Sequence, residues 1–225
     1  MLHIQNIAKS YPSASGLVKH KVLNGLSADF PKGHTVAIVG PSGSGKTTLL
    51  NILGTLDKAD EGSVNIDGVD IGQLQAREQA EFRNRKIGMV FQLHHLLPQC
   101  TLWENILLPV LPFTNDVDAA SKRAEALLKR TGIWEQRFQK PASLSGGECQ
   151  RAAVVRALIN QPSIILADEP TGALDEDNAE KLSSLLLELN KEMGTTLVVV
   201  THSPGLAARM DQVYELHSGK LHLRD

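Results

Sequence analysis

Short apolar runs punctuate this chain and alternate with longer amphipathic stretches. The runs at 35–39 (TVAIV), 87–91 (IGMVF), 164–167 (IILA) and 196–200 (TLVVV) are apolar or β-branched almost throughout. Such runs predict strands buried on both faces, as in a parallel sheet covered by helices. Residues 2–10 and 22–30 alternate more loosely and also predict strands, the second ended by Pro31, Lys32 and Gly33. A further strand is expected at 63–66, turned by Asp67 and Gly68. Helical spacing covers 47–53, 77–85, 118–130, 148–159 and 178–193, with a short helix at 204–210. Residues 212–223 read as a hairpin around Ser218 and Gly219. Between 92 and 160 the strand pattern stops, so this stretch reads as a mostly helical insertion.

Composition narrows the picture. With 225 residues, 42% of them hydrophobic, the chain can bury one large core. The formal net charge of -2 argues against a basic nucleic-acid binder, and no nucleic-acid partner is expected. Cys100 and Cys149 are isolated thiols, as in a reducing compartment. No run approaches the roughly 18–20 apolar residues that span a bilayer. The N-terminal residues 1–6 lack the features of a signal peptide, so a cytoplasmic location is expected, with any membrane role carried by a partner.

The chemistry begins after the run at 35–39. Gly40, Pro41, Ser42, Gly43, Ser44, Gly45, Lys46 and Thr47 match G-x-x-x-x-G-K-[ST], between a predicted strand and a predicted helix. Glycines let backbone N–H groups converge on phosphate oxygens, and the helix N-terminus offers further donors. Lys46 suits the β- and γ-phosphates, the Thr47 hydroxyl suits Mg²⁺, and Thr48 follows on the same helix. A second acidic element ends the run at 164–167. Asp168 suits Mg²⁺ coordination, direct or through water, and Glu169 is placed to orient or deprotonate a water. A third element, Leu144, Ser145, Gly146, Gly147 and Glu148, precedes a helical run. It reads as a capping box, as an anion site at a helix N-terminus, or as both.

That third element resembles the signature motif of ABC ATPases, and the other marks of the family follow in order. Tyr11 resembles the aromatic residue that stacks on adenine, and Gln92 the glutamine after the strand ending at Phe91. Ala173, Leu174 and Asp175 resemble the D-loop, and His202 the switch histidine. The resemblance implies an α/β fold: a P-loop NTPase ABC ATPase domain with a RecA-like core, an antiparallel β-subdomain and a helical subdomain. It implies one domain over 1–225, with core and β-subdomain at 1–91 and 161–225 and the helical subdomain at 92–160. ATP and Mg²⁺ are the implied cofactors, and Glu169, His202 and Gln92 the catalytic residues. Thr47, Gln92 and Asp168 are the implied metal contacts. A second copy of the chain would lend Ser145, Gly146, Gly147 and Glu148 to the same nucleotide, with Asp175 at the dimer interface.

Residues 91–98, 102–106, 53–57 and 167–172 are further similar to the LolD/MacB-like exporter group, which serves lipoprotein release or macrolide and haem export. The implied partner is a transmembrane permease, with this chain peripheral on the cytoplasmic face of the membrane. Other members of the resemblance stay open: a haem, macrolide or peptide exporter, a regulator of cell-wall hydrolysis, or a soluble ABC ATPase. Leu93, Leu96, Leu97 and Trp103 are expected at the permease surface or in the subdomain core. Cys149 departs from the group's usual polar residue; it reads as inert, or as a thiol of lowered pKa in the first turn of a helix.

Overall fold

The computed structural model describes residues 1–12, 19–113 and 116–224. Its organising element is a six-stranded sheet in the order β10-β9-β3-β8-β7-β6. The strands are β3 (Thr35–Val39), β6 (Ile87–Phe91), β7 (Ile164–Asp168), β8 (Thr196–Val200), β9 (Gln212–His217) and β10 (Lys220–Leu223). All neighbours from β9 to β6 are parallel; only β10 runs antiparallel, as the hairpin return of β9.

Side chains alternate between the two faces of a strand, and both faces here are buried. Ile38, Leu166, Val198 and Val200 join the cluster around α1 (Lys46–Leu53). Ala37, Ile165, Leu197 and Val199 join the cluster under α6 (Glu176–Met193). On α6, Leu182, Leu185, Leu186 and Leu189 recur at helical spacing and form its buried stripe. Asp175 caps its start by accepting from Asn178 N–H, and Gly194 closes it in the left-handed conformation (φ 63°).

A second, antiparallel sheet has the order β2-β1-β4-β5, with β1 (Leu2–Pro12), β2 (Lys19–Phe30), β4 (Glu61–Ile66) and β5 (Val69–Asp70). Its inner face packs on α1 within the first cluster. A third cluster is built from buried residues between Leu96 and Ile159, contributed by α3 (Leu102–Leu107), α4 (Val117–Arg130) and α5 (Gly146–Leu158). The remaining helices are α2 (Ala76–Lys86) and α7 (Pro204–Ala207). Among the described residues no helix is long and apolar enough to cross a membrane.

The differences from the sequence expectation are local. The two-residue β5 is too short for a period to register. The helix expected at 204–210 ends at Ala207, because Met210 and Asp211 turn the chain into β9. Leu96 lies in the third cluster at 6% exposure, so it is subdomain core and not a surface contact. Trp103 also packs against that cluster.

Asp211 fastens the sheet edge. Its carboxylate accepts from Thr35 N–H at 2.7 Å and Thr35 Oγ1 at 2.9 Å, while Asp211 N–H donates to Thr35 Oγ1. These bonds, the backbone one foremost, hold the Asp211 carboxyl below its ordinary pKa. A depressed carboxyl stabilises the fold above its unfolded pKa, and that stabilisation is lost as pH falls through the folded value. Asp211→Asn is therefore expected to cost about 1 kcal/mol at pH 7, kept small by solvent exposure. In denaturant titrations the gap from the parent protein should close below about pH 4.

Candidate functional site

The parallel register brings the chemistry to one edge. Ile38 pairs with Val200, Val200 with Asp168, and Asp168 with Phe91. The residues just past these positions are the loop from Gly40, His202, Glu169 and Gln92. Four segments far apart in sequence thus leave the carboxyl edge of adjacent strands, where ligands bind in open α/β sheets.

The loop between β3 and α1 tolerates little substitution. Gly40 has φ 148°, and a methyl added there would stand 2.3 Å from the Leu216 carbonyl oxygen. Gly45, at φ 103°, caps α1, and its added methyl would meet Val22 and Leu23 within 3 Å. Lys46 is buried and donates to the carbonyls of Gly40 at 2.9 Å and Pro41 at 3.0 Å, so its ammonium lies inside the loop. The Ser44 hydroxyl is buried without a hydrogen-bond partner. No acidic side chain occupies the first turn of α1, which leaves its N–H groups to an anion.

A cleft of about 280 Å³ opens on this loop, lined by Tyr11, His20, Val22, Gly43, Gly45, Lys46, Thr47 and Thr48. Sequence reasoning found Tyr11 but missed His20 and Val22, which no motif marks. The signal was the strand pairing: His20 stands directly across from Tyr11 on β2. A wider groove of about 800 Å³ passes the other side of the loop, along Gly40, Pro41, His202 and Arg224.

Thr47 Oγ1 donates to Asp168 Oδ2 at 3.0 Å, joining the phosphate helix to the end of β7. These are hard oxygen donors, the kind Mg²⁺ takes together with waters and phosphate oxygens. Among the described residues no group of three His, Cys, Asp or Glu could form an all-protein cage. A two-oxygen platform that leaves the other positions to substrate and water therefore fits Mg²⁺.

Glu169 adopts φ 46° and receives a bond from His202 N–H to Oε2 at 3.1 Å. Its Oε1 is buried without a hydrogen-bond partner and stands 3.4 Å from His202 Nε2. A left-handed backbone at a non-glycine residue is strained. Here it bends the chain out of β7 and leaves one carboxylate oxygen without a hydrogen bond. Gln92 sits across the Glu169–Gly172 turn: a methyl on Gly172 would lie 3.0 Å from Gln92 Nε2.

Ser145 caps α5 and forms a reciprocal box with Glu148. Ser145 Oγ accepts from Glu148 N–H, while Ser145 N–H and Oγ–H both donate to Glu148 Oε2 at 2.8 Å. These bonds hold the Glu148 carboxyl below its ordinary pKa. Ser145 and Gly146 are exposed, and Gly146 and Gly147 adjoin Leu174 and Asn178 of the segment capped by Asp175. Among the described residues the phosphate-loop cleft takes none of 145–148 as lining.

The far end of α5 reaches the loop after Gln92. Arg156 donates to the carbonyls of His95 at 2.6 Å and His94 at 2.7 Å, and Phe91 stacks on His95 at 4.9 Å. The low-pKa alternative for Cys149 is overturned: the thiol is 2% exposed, and burial pushes its pKa up. Cys149 is expected to alkylate only on unfolding, at a rate indifferent to ATP, whereas the partly exposed Cys100 labels in the native protein. Mass spectrometry of timed labelling reads this directly.

Comparison with known proteins adds the following. The ABC transporter family model matches residues 23–172. The lipoprotein-releasing system ATP-binding protein LolD of Legionella pneumophila (strain Paris) is 45% identical, covering 100% of this chain and 98% of its own. LolD 1 of Rhodopirellula baltica is 49% identical, covering 98% and 96%. A solved ATP-binding cassette, dimeric in a post-hydrolysis state with ADP and Pi bound, superposes with a TM-score of 0.90 at 39% identity, covering 100% of this chain and 98% of that one.

Proposed function

The chain belongs to the ABC transporter family, and from that premise we propose that it hydrolyses ATP to drive a lipoprotein-releasing membrane complex. The observation that carries the ATPase reading is the single sheet edge that delivers Lys46, Thr47, Asp168, Glu169 and His202. The loop at 40–47 and the first N–H groups of α1 bind the triphosphate, with Lys46 balancing its β- and γ-oxygens. Tyr11 stacks on the adenine. Thr47, Asp168 and Gln92 would hold Mg²⁺. When bound, Mg²⁺ supplies charge neutralisation to the phosphate oxygens. Glu169 orients the attacking water and takes its proton, and His202 contacts the γ-phosphate. Catalysis is mainly positional and electrostatic.

The signature acts on a second copy. Ser145 and Gly146 are exposed, Gly146 and Gly147 adjoin Leu174 of the D-loop and Asn178 of α6, and none of the three lines the phosphate-loop cleft. Two chains, paired head to tail, therefore complete two nucleotide sites, with Asp175 at the join and Glu148 keeping Ser145 in place. Replacing Glu169 with Gln keeps the side chain's shape and removes the base. Its turnover is expected to fall by about 10²–10⁴-fold, while ATP now holds the chains as a dimer on size-exclusion chromatography. Wild-type turnover, or a chain that stays monomeric with trapped ATP, contradicts this assignment.

The permease partner meets the groove of about 520 Å³ lined by Leu56, Met89, Phe91, Pro109, Phe113 and Arg156, among others. Leu93 and Leu97 stand at 65% and 39% exposure on the loop after Gln92. Exposed leucines on the loop whose His95 lines a groove of mixed apolar and polar walls, Arg83, Asn84 and Asn160 included, suit a transmembrane partner's cytoplasmic helix. On this basis the subunit sits peripherally at the cytoplasmic face of the membrane. Changing Leu93 and Leu97 together to Glu is expected to abolish co-purification with the permease in detergent while the isolated subunit keeps its ATPase rate. Loss of both properties, or of neither, contradicts this docking surface.

A further inference from the structure

Tyr11 is held by its hydroxyl, which donates to Asp57 Oδ2. Asp57 follows the C-terminal end of α1, and Thr48, in the first turn of that helix, lines the same cleft as Tyr11. Asp57 is itself fixed: its Oδ1 accepts from Lys9 Nζ at 2.7 Å and from Lys58 N–H at 2.7 Å, and Asp57 N–H donates to the Asn51 carbonyl. Lys9 is 9% exposed, also donates to the Lys58 carbonyl at 2.6 Å, and lies 5.1 Å from the centre of the Tyr11 ring. Asp60 adds a bond from Ser10 N–H at 2.8 Å. The end of β1 is thus bound to the loop after α1 through side chains, in addition to its pairing with β2.

We infer that Asp57 is a positioning residue for nucleotide binding: with Lys9, and through its N–H bond to the Asn51 carbonyl, it locks the Tyr11 ring to the phosphate helix before ATP arrives. The inference rests on the reading that Tyr11 stacks on the base. A base platform fastened to the helix that binds the triphosphate has its spacing from the phosphates preset. A platform free to turn would have to be ordered by each incoming nucleotide, and ordering a side chain weakens binding. Lys9 also reaches the Lys58 carbonyl and lies 3.8 Å from Asp60, so removing the Asp57 charge chiefly frees the Tyr11 hydroxyl.

The test is steady-state ATP hydrolysis by the isolated full-length subunit. Tyr11→Phe and Asp57→Asn are each expected to raise KM for ATP about three- to tenfold, the scale of one lost hydrogen bond, with kcat held within about twofold. The double variant should be no worse than the weaker-binding single variant, because both remove the same contact. Inhibition by tripolyphosphate, which has phosphates but no base, should be unchanged in both. Tyr11→Phe leaves the Lys9–Asp57 pair intact, so it reports on the lock even if Asp57→Asn folds poorly. An unchanged KM in Tyr11→Phe, shifts that multiply in the double variant, or an equal loss of tripolyphosphate binding would overturn the inference. Tyr11→Ala distinguishes the underlying reading: if it leaves KM for ATP unchanged, the base does not stack there.

Discussion

The structure depends on the register of four parallel strands. Pairing fixes Ile38, Val200, Asp168 and Phe91 at one level, and every strand then ends within a residue or two of the others. Nothing in this requires the reactive groups to recognise one another during folding. Each strand is selected by its own apolar run, and burial on both faces sets the register, because a slip by one residue would exchange the two clusters. The site is a by-product of the sheet, and its accuracy is that of a close-packed core.

Around that edge, polar contacts are set before any ligand binds. Lys46 is seated on two carbonyls of its own loop, Thr47 is joined to Asp168, and Glu169 is held by a bent backbone and the N–H of His202. Two buried groups, the Ser44 hydroxyl and one oxygen of Glu169, are left without partners. Unsatisfied buried polar atoms are costly in a folded chain. Their presence in the phosphate loop and at the end of β7 fits a site whose hydrogen bonding is completed by nucleotide and water.

Much of this was legible in the sequence, for identifiable reasons. The runs at 35–39, 87–91, 164–167 and 196–200 announced strands because a strand buried on both faces has no polar residue to blur it. The phosphate loop and Ser145–Glu148 were legible because glycines and caps answer to local geometry. His20 was not, since its place opposite Tyr11 comes from pairing across a hairpin whose intervening residues carry no motif. Leu96 and Leu97 are neighbours with opposite fates, one in the core and one at the surface. The loop around them has left-handed backbone at His95 and no period to separate them. Cys149 was misjudged in one of its readings because a helix's first turn says nothing of what packs over it.

Helix α5 runs unbroken from the Ser145 cap to the turn that contains Arg156. Its rise of about 1.5 Å per residue makes it a rod roughly 16 Å long between those two residues. One tip faces outward, and the other is pinned to the carbonyls of His94 and His95. A rod of fixed length cannot store a displacement. The distance between the Ser145 cap and the loop that Arg156 holds is therefore set by the number of residues in one helix.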